Sequence, residues 1–163
     1  MIARKADPDR VRVARPEDEP ELIELCRRNH AEHGLGPFAP DKVRTVLHRA
    51  FDERANDRCF VGITGTDGIE GSIGLRVDEP WDGDVLFLRG LWNYVLPEYR
   101  AQTTHMHDQT AFAQRLSQPE PVGIGIPLWI DVIMHVKTEH QVRIYTRHLG
   151  EPAAVTWLCE SNH

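Results

Sequence analysis

Apolar and polar positions change their spacing along the chain, and each spacing predicts an element. Near the N-terminus two valines alternate with arginines, which predicts a short strand over residues 10–13. Residues 16–34 and 41–53 carry apolar side chains three and four positions apart, the spacing of helices with one buried face. Pro16 and the three acids that follow it suit a helix start, and Gly34 suits a helix end.

The middle of the chain has the two-residue period of β-strands. Residues 58–64 and 69–77 are predicted as two strands joined by a tight turn at Asp67-Gly68, because this dipeptide between apolar runs favours a hairpin. Residues 85–96 then alternate as one further long strand. We therefore expect three consecutive strands here.

The last third of the chain alternates helix and strand. Residues 104–116 and 137–150 have helical spacing, the latter with Val142, Tyr145 and Leu149 on one side. The nearly continuous apolar run 124–134 predicts a strand covered on both faces, and residues 153–159 predict a last strand. The order β-α-α-β-β-β-α-β-α-β predicts a mixed sheet with helices on both faces, and a right-handed crossover between the fourth and fifth strands.

Composition excludes several classes of partner. The chain has 163 residues, which suits one domain with a single core. Its net charge of −6 argues against nucleic acid and anionic membranes, because both select clustered Lys and Arg. No apolar run approaches the roughly 18 residues of a membrane helix, and the charged N-terminus has no apolar segment typical of a signal peptide. We therefore expect a cytoplasmic protein.

Cysteine and histidine do not indicate a metal site. The three cysteines, Cys26, Cys59 and Cys159, lie far apart and are expected to be reduced thiols. The nine histidines are dispersed. His105 and His107 are two positions apart, which places them on different sides of a helix, whereas helical metal-binding pairs are four apart. No metal is predicted.

Three stretches have a recognisable order and spacing. "NYVLPEYR" at 93–100 is similar to V-x-P-x-[YF]-R, "IPLWIDVIM" at 126–134 is an apolar strand, and "TEHQVRIYTRHLGEPAAVTWL" at 138–158 is similar to N-x-x-A-x-x-x-Y-x-x-x-G-F. Together they resemble the GCN5-related N-acetyltransferase (GNAT) superfamily over about residues 10–159. The resemblance implies an α/β (α+β) fold in one domain, residues 1–163. Its central sheet would be mixed and mostly antiparallel, with helices on both faces and a splay between strands four and five.

The chain also resembles a branch of acetyltransferase-like proteins often carried by tailed bacteriophages. Their pattern contains L-W-N-[FY]-V-x-P-x-x-R, then G-I-P-L, and here the first part reads "LWNYVLPEYR" at 91–100. That resemblance implies a phage-encoded chain in the host cytoplasm or the virion.

By resemblance, the turn after the fourth strand binds the diphosphate of acetyl-CoA, through backbone N–H groups at a helix N-terminus. The family consensus is [QR]-x-x-G-x-[GA], and the matching residues 100–105 read "RAQTTH". The cofactor-binding side chains are then Arg100, Gln102, Thr103, Thr104 and His105. Since the glycines are missing, the threonine hydroxyls and the His105 ring either replace lost backbone contacts, or Thr103 or Thr104 caps the helix.

Resemblance also assigns the groups that would act on the thioester. The backbone of Tyr94, Val95 and Leu96 would polarise its carbonyl, and a bulge at Asn93-Tyr94 would turn these N–H groups toward it. Tyr145, placed by the C-terminal motif, would protonate the departing thiolate. The alternative is that Tyr145 is a core residue with one hydroxyl partner.

The candidate general bases are acids near the expected acceptor cleft. Glu79 and Asp84 lie in the turn before the fourth strand, and Asp131 interrupts an apolar strand, where a carboxylate must be paired or functional. The alternative for Asp131 is an ion pair with Arg89 or a histidine.

Two functions follow. The first is an acetyl-CoA-dependent N-acetyltransferase acting on a small-molecule or protein amine. The second is a GNAT-fold binding or structural protein without catalysis, for example a virion component. The missing glycines favour the second function, whereas Arg100 and Tyr145 favour the first. A homodimer is expected by resemblance alone.

Overall fold

The computed structural model of the chain describes residues 5–34, 36–52, 54–55, 58–131 and 139–150. The chain divides into two compact units, residues 1–131 and 132–163. The strands of the first unit are β1 (Arg12–Val13), β2 (Cys59–Thr64), β3 (Gly71–Asp78), β4 (Phe87–Val95) and β5 (Leu128–Trp129). Its α-helices are α1 (Glu19–His33), α2 (Pro40–Phe51), α3 (Pro97–Arg100) and α4 (His105–Ser117). The second unit contains α5 (Glu139–Leu149).

The five strands of the first unit form one sheet in the order β1-β2-β3-β4-β5. Strands β1 to β4 pair antiparallel with one another, and β5 is parallel to β4, with Leu88 opposite Leu128 and Arg89 opposite Trp129. The chain passes from β4 to β5 through α4, as a parallel pair requires. The predicted mixed, mostly antiparallel sheet is confirmed.

Helices cover both faces of this sheet, as predicted. Helix α4 contributes to one buried cluster with β3 and β4, made of Val11, Ile73, Leu75, Leu88, Phe112 and Ala113. Helices α1 and α2 pack on the other face, where the buried residues are Ala14, Leu22, Leu25, Cys26, Leu47, Val61, Ile63 and Tyr94. Among the described residues, no helix is both long and apolar enough to span a membrane.

Strand β4 contains a bulge near its middle. Leu75 pairs with Gly90 and Gly74 pairs with Trp92, so Leu91 is an extra residue on β4. An extra residue reverses the side on which the following side chains lie. Before the bulge Leu88 packs with the α4 face, and after it Trp92 packs with the α1 face.

The predicted bulge at Asn93-Tyr94 is therefore wrong. Asn93 pairs regularly with Ile73, and Tyr94 pairs regularly with Ser72. The sequence did not reveal the bulge at Leu91, because the apolar side chains before and after it are both packed against helices. These helices lie on opposite faces of the sheet, so the apolar pattern continues through the bulge.

The hairpin of β2 and β3 is confirmed, but its tight two-residue turn is wrong. Thr64 pairs with Gly71, which leaves a loop of residues 65–70 closed by the Glu70 N–H bonded to the Thr64 carbonyl at 2.9 Å. Within this loop, Gly65 has a positive φ of 142°. This longer loop carries the Glu70 side chain to the end of β4.

The predicted helices are all present. Residues 16–34 form a short 3-10 turn, Pro16–Asp18, followed by α1, and the segments 41–53, 104–116 and 137–150 correspond to α2, α4 and α5. Helix α5 ends at Leu149 and is followed by Gly150, where φ is +87°. Within α5 the buried residue is Ile144, whereas Leu149 of the predicted stripe is exposed.

The predicted fifth strand is shorter than the run 124–134. Within residues 124–131, strand β5 spans two residues, and it is not covered on both faces. Leu128 packs against the buried cluster to which α4 contributes, whereas 50% of the surface of Trp129 is exposed. Residues 132–134 and the predicted last strand 153–159 lie outside the described residues.

Candidate functional site

A strand–turn–helix unit forms the site that the sequence predicts. Strand β4 ends at Val95, the single turn α3 follows, and α4 begins at His105. The first hydrogen bond within α4 runs from the Asp108 N–H to the Thr104 carbonyl, at 2.9 Å. The N–H groups of His105 and Met106 precede this bond, so they point out of the helix end, where the helix dipole is positive.

Arg100 lies in a cluster with Glu32 and Tyr94. Its Nε donates to the Val95 carbonyl at 2.7 Å, and a terminal nitrogen lies 2.9 Å from the Glu32 carboxylate. The guanidinium carbon is 4.9 Å from the centre of the Tyr94 ring, and the Tyr94 hydroxyl donates to Glu32. The cluster therefore joins the ends of α1, β4 and α3.

Burial and hydrogen bonding set the protonation of this cluster. Burial, followed by the hydrogen bond to Glu32, raises the pKa of Tyr94 to about 12, so its hydroxyl remains a donor. Burial opposes ionisation of Glu32, but the hydrogen bonds from Tyr94 and Arg100 outweigh it and lower the pKa of the carboxyl. Glu32 is therefore an ionised partner of Arg100.

Both threonine hydroxyls of the turn donate to groups of the chain itself. Thr103 donates to the Tyr99 carbonyl at 2.8 Å, and Thr104 donates to the Asp108 carboxylate at 2.8 Å. Thr104 occupies the N-cap position of α4 without a side-chain capping bond, so the predicted hydroxyl cap is wrong for Thr104. Asp108 is fully buried and also accepts the Asp7 N–H at 2.7 Å.

His105 points at a carboxylate of the β2–β3 loop. Its Nε2 lies 2.6 Å from Glu70 Oε2, and the ring nitrogen is the donor because an ionised carboxylate only accepts. Both side chains are largely buried, with 15% and 19% of their surfaces exposed. Gln102, by contrast, is exposed, and its N–H lies 3.2 Å from the Tyr99 carbonyl.

Of the three predicted backbone N–H donors at the end of β4, one points away from β3. The Leu96 N–H donates to the Glu70 carbonyl at 2.9 Å, toward β3. Because bonded and non-bonded pairs alternate in an antiparallel ladder, the Tyr94 N–H also points to β3 and the Val95 N–H points away from it. Val95 is thus the residue whose N–H faces the β5 side.

Glu79 is not brought together with the turn. Strand β3 ends with Asp78 opposite Phe87 and begins with Gly71 opposite Val95, so Glu79 follows the far end of β4. At about 3.3 Å per residue, that end lies about 23 Å from the turn. The Glu79 side chain is exposed there.

Asp131 is paired, which confirms the alternative predicted for it. A guanidinium nitrogen of Arg89 lies 2.9 Å from one carboxylate oxygen, and the Trp129 indole N–H donates to the other at 2.9 Å. Arg89 also lies 3.5 Å from Asp78, and a hydrogen bond from Arg76 lowers the pKa of that carboxyl.

The remaining predicted residues do not belong to the strand–turn–helix unit. Tyr145 is half-buried on α5 in the second unit. Cys26 and Cys59 are both buried, and burial raises the pKa of Cys26 to about 12. Cys159 lies outside the described residues. Within the described part of the chain, no group of three or more His, Cys, Asp and Glu side chains could hold a metal ion.

Sequence reasoning missed three carboxylates that surround the turn, namely Glu32, Glu70 and Asp108. Two of them come from distant segments, the end of α1 and the β2–β3 loop, and reach the turn through helix packing and strand pairing. Asp108 is four residues from Thr104, so helical spacing could have indicated that pair.

No protein-family model and no curated protein match the chain. Several solved structures, however, are similar to the chain. An acetyltransferase from Trypanosoma brucei is 17% identical with a TM-score of 0.59, over 93% of this chain and 98% of that chain. AAC(6')-Iy, solved with the bisubstrate analogue CoA-S-monomethyl-acetylneamine, is 15% identical with a TM-score of 0.65, over 94% and 97%.

A third similar structure is the aminoglycoside acetyltransferase meta-AAC0020, from an uncultured soil metagenomic sample, in complex with sisomicin. It is 12% identical with a TM-score of 0.57, over 94% of this chain and 93% of that chain. At such identities the likeness establishes the fold, and it spans nearly the whole of both chains. The fold predicted from the sequence is confirmed.

Proposed function

We propose that this chain, which has the GNAT fold, transfers an acetyl group from acetyl-CoA to an amine. The observation that carries the proposal is the unit of β4, the turn and α4, with β5 parallel to β4. The turn presents the N–H groups of His105 and Met106 at a positive helix end, which suits a diphosphate. The bisubstrate analogue bound by AAC(6')-Iy contains CoA, which supports the same cosubstrate here.

Two groups of this chain would act on the reacting atoms. The Val95 N–H, on the open side of β4, would donate to the thioester oxygen as negative charge develops on it. The amine nitrogen attacks the thioester carbon, the C–S bond breaks, and the thiolate takes a proton from the Tyr145 hydroxyl. The nitrogen loses its extra proton to water, because Asp131 is paired with Arg89 and Trp129, and Glu79 lies at the far end of β4.

The acceptor we propose is a small-molecule amine. AAC(6')-Iy was solved with an analogue containing acetylneamine, and meta-AAC0020 with sisomicin. These acceptors belong to those two proteins, and they define the first compounds to test with this chain.

Thiol release tests the activity. The purified chain is incubated with acetyl-CoA and a panel of aminoglycosides and polyamines, and free CoA thiol is measured. We expect release that requires both the chain and one amine. Tyr145→Phe should lower kcat about tenfold or more, as loss of a general acid does, while the Kd for acetyl-CoA stays unchanged. Tyr99→Phe is the matched control, with kcat unchanged.

Absence of amine-dependent thiol release would contradict the proposal. One observation favours a second function, a GNAT-fold binding protein without catalysis: Arg100, Thr104 and His105 are all paired with carboxylates of the chain. That function predicts that the chain is stable and folded, but releases no thiol with any amine.

A further inference from the structure

The turn that we propose for the diphosphate already holds an anion of the chain. Glu70 reaches it from the β2–β3 loop, and its carboxylate accepts a hydrogen bond from His105 at 2.6 Å. His105 is the first residue of α4, at the positive end of the helix. A carboxylate there neutralises the potential that would attract a phosphate.

The Glu70 side chain is not needed to fix its own loop. The Glu70 N–H donates to the Thr64 carbonyl at 2.9 Å, and the Glu70 carbonyl accepts the Leu96 N–H at 2.9 Å. These two backbone bonds hold the loop to the ends of β2 and β4. The carboxylate can therefore leave His105 without release of the loop.

Asp108 is a contrasting acid at the same helix end. It is fully buried and accepts hydrogen bonds from the Asp7 N–H and the Thr104 hydroxyl. Its removal would leave two partly buried donors unpaired, so it is a fixed part of α4. Glu70 keeps 19% of its side-chain surface exposed, so of these two acids it is the one that can move into solvent.

We propose that Glu70 is an internal competitor of the cosubstrate and sets its affinity. In the free chain Glu70 occupies the His105 donor, and a bound diphosphate takes that donor while the carboxylate turns to solvent. The inference rests on the proposed function, because it concerns the same site. Under this proposal the Glu70 carboxylate weakens the binding of acetyl-CoA. A residue with a purely structural role would not weaken it.

Calorimetric titration of Glu70→Gln with acetyl-CoA tests this inference. Glutamine keeps an acceptor for His105 but removes the charge. We expect the Kd to fall about tenfold relative to the unmodified chain, because the glutamine removes a negative charge that competes with the diphosphate a few ångströms away. Glu24→Gln is the matched control, because Glu24 is an exposed, ion-paired acid on α1, and its Kd should change less than about twofold.

S-acetylpantetheine, which lacks the diphosphate, separates charge competition from a general change of the fold. Its Kd should be equal for Glu70→Gln and the unmodified chain. An equal tightening of both ligands would overturn the inference. An unchanged or higher Kd of Glu70→Gln for acetyl-CoA would also overturn it, while leaving the proposed function intact.

If Glu70→Gln binds acetyl-CoA and the unmodified chain does not, the result supports Glu70 as a competitor and contradicts the proposed function. Absence of binding by both proteins would overturn both. A second measurement needs no variant: the carboxyl ¹³C resonance of Glu70 should move when the unmodified chain is saturated with acetyl-CoA, and that of Glu24 should not. A Glu70 resonance that does not move would overturn the inference.

Discussion

At the scale of single residues, the turn is organised by carboxylates. Glu32 accepts from Tyr94 and pairs with Arg100, and Glu70 accepts from His105. The sequence motif identified Arg100, but it named Tyr94 only for its backbone N–H, which points to β3. It could not identify Glu32 or Glu70, whose partners are 68 and 35 positions away along the chain.

Tyr94→Phe should destabilise the fold. The buried hydroxyl donates to an ionised carboxylate, and the loss of such a bond costs about 2 kcal/mol. The free energy of unfolding, measured with urea, checks this. Tyr99→Phe, at a residue that contributes its carbonyl to the turn, should change it by less than about 0.5 kcal/mol. Equal effects of the two changes would contradict the role of the Tyr94 hydroxyl.

Stability should depend on pH through Glu32. Its pKa is lowered in the folded chain, so its stabilisation is complete above the unfolded pKa, about 4.3, and is lost as the pH falls through the lower folded value. The difference in unfolding free energy between the unmodified chain and Glu32→Gln should therefore be constant from pH 6 down to about 5, and shrink at lower pH. A difference that does not vary with pH would show that Glu32 is not the titrating group.

At the scale of elements, the end of the hairpin is packed directly against β4 and α4. A Cβ atom at Gly71 would lie 2.6 Å from Gln109 Nε2, 2.9 Å from Thr64 Oγ1 and 3.0 Å from the Tyr94 carbonyl. Helix spacing and strand alternation predicted these elements, because each has one face buried in a core. The Leu91 bulge and the six-residue loop could not be predicted, since pairing with β3 and the position of Gly65 fix them.

Gly71→Ala should destabilise the chain by about 1–3 kcal/mol, because Gln109 and the β4 backbone must move to make room. Gly68→Ala is the control: nothing lies within 4 Å of its Cβ position, and its φ is not left-handed. Thermal and urea unfolding of both variants measure the difference. If Gly68→Ala is as destabilising as Gly71→Ala, the close approach at Gly71 is not the cause.

At the scale of the whole molecule, the arrangement of strands and helices in the first unit follows the predicted order. Each predicted helix is present, and β5 lies parallel to β4. The predicted single domain and splay, and the placement of Tyr145 near the turn, stay predictions, because they depend on residues 132–163. The proposed binding of acetyl-CoA at the turn would connect this fold to the proposed activity.

Amide resonances measured during titration with acetyl-CoA test that connection most directly. We predict saturable ¹H–¹⁵N shifts at Thr104, His105 and Met106, with the resonance of Gly83, in the loop at the far end of β4, unchanged. Shifts confined to other regions, or no saturable shift at these three amides, would contradict the claim that the N-terminus of α4 binds the diphosphate.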